Sequence, residues 1–197
     1  MSRLSRFKRN ADRAQELVGM GEAISRMTNE SIDPTDLYRS ALVQAVASLD
    51  LYVHGTVLDC GVEVISGLRA TTVRSTFGLH LAAVGDILRA ETPAEVELRA
   101  ITHVGERLSR ETFQRPDSIS GAFAMVGIPR IWTTAFGSRA QATKEALNAV
   151  VSRRNQIVHA CDLDMSDPEL LQNLTAQEAL DAIDVVRDVV LGIDAAC

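Results

Sequence analysis

Apolar side chains return every three or four positions along most of this chain, the period of an α-helix buried on one side. Over residues 5–27 the series is Phe7, Ala11, Ala14, Leu17, Val18 and Ile24, with Gly19 and Gly21 weakening its middle. A start signal follows, with Asp33 as N-cap, Pro34 at the first helical position and Asp36 in the first turn. An apolar stripe then runs through Leu37, Ala41, Leu42, Ala45, Val46, Leu49, Val53, Val57, Cys60 and Val64, ending near Ser66-Gly67. This predicts the longest helix.

Residues 76–90 predict a shorter helix, and Thr92-Pro93 opens another through Val96, Ala100, Ile101, Val104 and Leu108, fading near Phe113. Pro116-Asp117-Ser118 reads as a turn into a short apolar piece, residues 119–126, halted by Gly127-Ile128-Pro129. Trp132 and Phe136 fall in a connecting turn that ends at Gly137-Ser138. Ser138 is placed to cap a helix carrying Ala142, Leu147, Val150, Val151, Arg154, Ile157 and Val158. Asp162, Asp164, Asp167 and Pro168 read as an acidic loop. Thr175-Ala176-Gln177-Glu178 is a capping box for a last helix through Leu180, Ile183, Val186, Val190 and Ile193. No run alternates with the period of a strand. The pattern predicts an all-α bundle of about six or seven helices. Residues 1–32 form a basic helical segment packed on or extending a domain of residues 33–197.

Aromatic residues are only 4% of the chain, which favours helices over sandwiches and barrels. No stretch approaches the roughly 18 uninterrupted apolar residues of a membrane span, and the basic first ten residues lead into no apolar signal core. The expected location is the cytoplasm, away from the membrane. Cys60, Cys161 and Cys197 lack metal-ligand spacing, and Cys161 with His159 supplies too few ligands for zinc. Free thiols are expected, with neither metal nor cofactor.

The net charge of −6 seen alone disfavours a nucleic-acid partner, but the charge is unevenly distributed. Arg3, Arg6, Lys8, Arg9 and Arg13 face Asp12 alone in the first thirteen residues. Arg130, Arg139, Lys144, Arg153 and Arg154 face Glu145 alone between positions 129 and 159. After His159, nine acids from Asp162 to Asp194 stand against Arg187. Arginine outnumbers lysine eighteen to two. That bias suits bidentate phosphate binding, and a GC-rich genome produces it equally well.

The sharpest local feature is the run from Val151 to Asp162, in which Arg153, Arg154, Asn155, Gln156 and His159 crowd the end of an apolar helix. Residue types alone leave a structural reading open, because cations near a helix C-terminus interact favourably with its dipole. Order and spacing add more. Arg154, Asn155 and His159 match the Arg-polar-x3-His pattern of HEPN domains, and the words around it resemble that family's signature. The segment Leu49 to His54 and the stretch from Ile119 to Trp132 are similar to the bacterial RiboL-PSP-HEPN branch, so the resemblance spans about residues 33–190.

The resemblance implies a metal-independent endoribonuclease in a toxin, phage-defence or stress role. Its catalytic residues are Arg154, Asn155 and His159, and its products 2′,3′-cyclic phosphate and 5′-hydroxyl ends. RNA carries its own nucleophile, so the protein need only move protons and hold a crowded phosphate. Histidine suits the first task and arginine the second. On an ideal helix Asn155 and His159 share a face while Arg154 lies about 140° from His159. This agrees with the family's two-fold homodimer, in which two motif helices build one composite site.

Arg153 is a candidate RNA contact or a solvated arginine. Asp50 and His54, four apart, are candidate orienting residues or a satisfied hydrogen-bonded pair. His80 and His103 read as structural, and Tyr52 and Trp132 as core residues, with stacking on bases as their alternative role. Cys161 stands where nucleotidyltransferase-silenced HEPN toxins carry tyrosine, which speaks against that antitoxin, while another antitoxin or a sensor protein stays open as a partner. Two alternatives remain: a non-catalytic HEPN module for nucleotide binding, protein binding or dimerisation, and a helical regulator in which the motif is only a helix end.

Overall fold

The computed structural model describes residues 2–71, 76–163 and 171–197. Among them the chain forms eight α-helices: α1 (Arg3–Met27), α2 (Thr35–Ile65), α3 (Leu81–Leu88), α4 (Pro93–Leu108), α5 (Pro116–Met125), α6 (Ile131–Phe136), α7 (Ala140–Ala160) and α8 (Ala176–Ala196). The fold is all-α, and one isolated bridge between Leu163 and Leu171 is the only β-type pairing among the described residues.

The central post is α2, which contacts α1, α4, α5, α7 and α8. Antiparallel to it lies α1: the Arg3 guanidinium reaches Asp59 at 2.9 Å near one end, and Gly21 abuts Tyr38 near the other. The N-terminal half of α2 receives the end of α7, and its C-terminal half receives α4, where Gly61 faces Val104. Into the remaining side packs α8, burying Ala179, Ile183, Val186, Val190 and Ile193. Phe7, Ala11, Ala14 and Val18 of α1 join the same core, so the basic segment is built into the bundle.

Two close approaches fix how these helices seat. A Cβ on Gly21 would lie 2.6 Å from Cε1 of Tyr38, and one on Gly192 would collide with the ring of Phe136. Each glycine opens a notch that an aromatic ring from another helix fills.

Several boundaries differ from expectation. Asp33 accepts the Thr35 amide at 2.9 Å, but the helix begins at Thr35 with Pro34 in the cap position, one residue later than the start signal put it. The helix expected over residues 76–90 contracts to Leu81–Leu88 because Gly78 adopts φ +67° and the chain up to His80 is extended. Pro116 and Asp117 form the first turn of α5 rather than a separate turn. The expected connection at Trp132 is the short helix α6, whose Trp132 and Phe136 rings stack at 5.7 Å and are buried. Ser138 lies within a 3-10 turn, Gly137–Arg139, that leads into α7, and no side chain caps that helix. Asp164, Asp167 and Pro168 lie outside the described residues, and Asp162 is 1% exposed, the reverse of a loop acid. At Thr175 the capping box forms as read, with Glu178 and Thr175 exchanging hydrogen bonds.

By length and composition α2 would also pass for a membrane span, with a mean hydropathy of 1.3 over its most apolar stretch. Interrupted rather than continuous apolar runs hid this in the sequence. In the bundle Leu42, Val46, Leu49, Val53 and Val57 are buried.

Candidate functional site

The candidate site sits where α7 ends. Cys161 stops the helix with φ +50° and Asp162 follows at φ +57°, its amide returning to the Gln156 carbonyl at 3.1 Å. Two consecutive left-handed residues without glycine need outside support, and Asp162 provides it. Its carboxylate accepts Nε of Arg39 at 2.7 Å and Nη1 and Nη2 of Arg153 at 2.5 and 3.0 Å. The Arg39 guanidinium also reaches Asp36 at 2.9 Å and the Gln172 carbonyl at 2.8 Å. Burial works to lower the Arg39 pKa, but the hydrogen bonds to Asp162 and Asp36 outweigh it and raise the value. Arg153 also bonds the Gln172 side chain and the Asn173 carbonyl. One buried carboxylate thus ties the start of α2, the end of α7 and the approach to α8 into one joint.

The two neighbouring arginines therefore have different surroundings. Arg153 is bound within this joint rather than solvated. Arg154 is half-buried and donates from Nη1 to Oδ1 of Asn155 at 3.1 Å, and its Nε is buried without a partner. The guanidinium folds back across the helix towards Asn155, narrowing the angular gap to the side that carries His159. His159 is exposed in the last turn, one turn beyond Asn155. The structure thus brings Arg154 to Asn155 and leaves the imidazole open to solvent.

Asp50 and His54 serve a different neighbourhood. Asp50 accepts the Phe113 amide at 2.6 Å and the Gln114 side chain at 3.2 Å. His54 faces the Asp50 carbonyl at 2.8 Å through Nδ1 and the Leu108 carbonyl at 3.2 Å through Nε2, with the Phe113 ring 4.5 Å away. The Asp50 hydrogen bond, working against burial, raises the His54 pKa to about 8. For Asp50, burial pushes the pKa up, but its His54, Phe113 and Gln114 donors hold it below the usual range. The pair fastens the end of α4 to α2, and no described contact joins it to Arg154, Asn155 or His159.

His103 bonds Asp86 at 3.0 Å, and His80 is the N-terminal cap position of α3. Tyr52 is buried and donates to Asp194 at 2.8 Å, and Trp132 is buried and donates to the Pro116 carbonyl at 3.1 Å. Neither ring offers a face for stacking on a base. Cys60 is buried, Cys161 and Cys197 are exposed, and all three are free. Among the described residues no group of three or more His, Cys, Asp and Glu is placed to hold a metal ion.

A groove of about 460 Å³ runs beside this joint, lined by Asp36, Ser40, Val43 and Gln44 of α2 and by Ile157 and Cys161. Sequence reasoning missed Arg39 and Asp162. An arginine within the apolar stripe of α2 was the available signal, since a buried cation requires a buried partner.

The fold and site define an all-helical bundle that gathers a half-buried guanidinium, an amide and an exposed imidazole at one helix end. No protein-family profile matches the chain, and no solved structure matches it. It is 34% identical over 132 residues to a protein named adenylate kinase from Synechococcus sp. (strain RCC307), an alignment covering 61% of this chain and 68% of that protein. The nucleotide-phosphate loop of P-loop enzymes reads Gly-x4-Gly-Lys-Ser/Thr after a strand. Here Lys8 follows Phe7 and Lys144 follows Thr143, and the described residues form no strand. The likeness assigns no family.

Proposed function

We propose that this protein is a metal-independent endoribonuclease of HEPN type, acting as a two-fold dimer in a toxin, phage-defence or stress role. The observation that carries the reading is the division of labour at the end of α7. Arg153 is consumed in the joint around Asp162, while Arg154 is drawn to Asn155 on the side of the open imidazole of His159. In the proposed reaction the 2′-hydroxyl attacks the adjacent phosphorus, its proton passes to an imidazole, and the 5′-oxygen leaves with a proton from a second one. One protomer carries one His159, so the second proton carrier comes from a second copy. Arg154 holds the non-bridging oxygens, and Asn155 orients the guanidinium.

The test is RNA cleavage in EDTA. Wild-type protein is expected to cut RNA but neither DNA nor 2′-O-methylated RNA. Arg154→Ala and His159→Ala are each expected to lose at least about 100-fold in rate, the scale of a lost proton carrier or charge stabiliser. Near wild-type cleavage by either variant, or cutting of DNA, refutes the mechanism. RNA binding without cleavage by wild type would instead support the non-catalytic module.

A further inference from the structure

The exposed side of α1 carries Arg6, Arg9 and Arg13, at the i, i+3, i+7 spacing that aligns them within about 60° around a helix. Phe7, Ala11, Ala14 and Val18 occupy the opposite, buried side. The stripe begins just beyond the first turn of α1, a turn that holds no acidic residue. Arg3 is neutralised by Asp59, and Asp12 is engaged by Arg187 at 2.8 Å. Arg6 and Arg13 form no ion pair among the described residues. In a chain of net charge −6 the first thirteen residues are a local excess of positive charge, with Arg6, Arg9 and Arg13 exposed along one side.

Its position is informative. Arg6 and Asn10 border the shallow cleft between α1 and α2, together with Ser48 and Leu51. The Asn10 carbonyl accepts from Gln44 at 3.5 Å, and Gln44 also lines the groove whose far wall is Ile157 and Cys161 of α7. The arginine stripe and the end of the motif helix are therefore opposite banks of one exposed strip of α2. Arg6 to Arg13 spans about 10 Å along the helix, the length of about three stacked nucleotides at ~3.4 Å each.

We propose that Arg6, Arg9 and Arg13 bind the sugar–phosphate backbone of single-stranded RNA and lead it across α2 to the end of α7. The choice of RNA as occupant rests on the nuclease reading above. Guanidinium groups in a row match phosphates in a row. A lipid surface is a poorer fit, because the apolar side of α1 is already within the core and leaves nothing to insert.

The experiment is fluorescence anisotropy of a labelled, uncleavable 2′-O-methyl RNA oligonucleotide with the full chain over a salt series. The triple variant R6Q/R9Q/R13Q is expected to bind at least about tenfold more weakly at low salt. Its plot of log affinity against log salt should be shallower by about 2, the value for three lost phosphate contacts at ~0.7 each. R6K/R9K/R13K should retain the parent slope, which separates charge from packing. On cleavable RNA the glutamine variant should raise KM and leave kcat within about twofold. Parent-like affinity and slope in the glutamine variant overturn the proposal, as does tighter capture of the parent by phosphatidylserine vesicles than by RNA. Stripe-dependent binding without any cleavage would leave this surface standing and remove the nuclease. Cleavage with stripe-independent binding would do the opposite.

Discussion

At the scale of single residues, His54 makes the clearest quantitative statement. Both of its ring nitrogens face oxygen acceptors, Asp50 on one side and the Leu108 carbonyl on the other, so only the protonated ring donates to both. The fold holds its pKa at about 8 against an unfolded value of 6.5. A pKa raised by folding stabilises the folded state fully below about pH 6.5, and that contribution disappears as pH rises through 8. With the ring partly exposed, its size is about 1 kcal/mol. Melting temperature is expected to fall between pH 6.5 and 8.5 in the parent, and this pH-dependent loss should vanish in His54→Gln; an unchanged slope in the variant would sink the assignment. The pairing of Asp50 with His54 was legible in the sequence, because four residues is one helical turn. Their partners at Leu108 and Phe113 were not, since no local pattern announces a contact made across more than fifty residues. The same limit applied to Arg153 and Arg154, adjacent in sequence and alike in type. Only the buried carboxylate beyond the helix end distinguishes them.

At the scale of elements, the end of α7 depends on a joint that is ionic rather than apolar. Removing the Asp162 carboxylate would leave Arg39 and Arg153 without their shared counter-charge in a largely buried place. Asp162→Ala is therefore expected to destabilise the protein by about 3 kcal/mol, read from denaturant unfolding, the scale for breaking one partner of a buried pair. A change under about 1 kcal/mol would mean that water already carries this joint. The long helices were readable from a sustained 3.6-residue stripe, as along α2, or from a side-chain cap, as at Thr92 and Thr175. Of the short ones, α3 was read too long and α6 was read as a turn. With only six residues in α6, fewer than two turns are available to establish a period, and α3 lost its first turn to the left-handed Gly78.

At the scale of the whole molecule, a single chain presents one His159 and one Arg154, while the proposed reaction moves two protons. Light scattering at micromolar concentration is expected to give a dimer, with activity tracking the dimeric fraction on dilution. A mixture of inactive Arg154→Ala and inactive His159→Ala chains should recover part of the activity if each site draws on both copies. An active monomer would refute the shared site. The all-helical architecture was legible from periodicity alone, but the arrangement of helices around α2 was not, because the contacts that choose it are between faces far apart in sequence.

The aromatic-filled notches at Gly21 and Gly192 have a consequence for how the bundle transmits change. A helix that meets its neighbour through a smooth apolar ridge can slide by a fraction of a turn and still find contacts. A helix keyed by a ring in a notch has one register, as a gear tooth has one gap. Because α8 is keyed at Gly192 near its far end and capped at Thr175, it behaves as a rod of fixed length reaching back about 30 Å towards Gln172 and Asn173. Those two residues brace Arg153. The position of the motif helix is thus indexed, through α8, to a single missing methyl group near the far end of that helix.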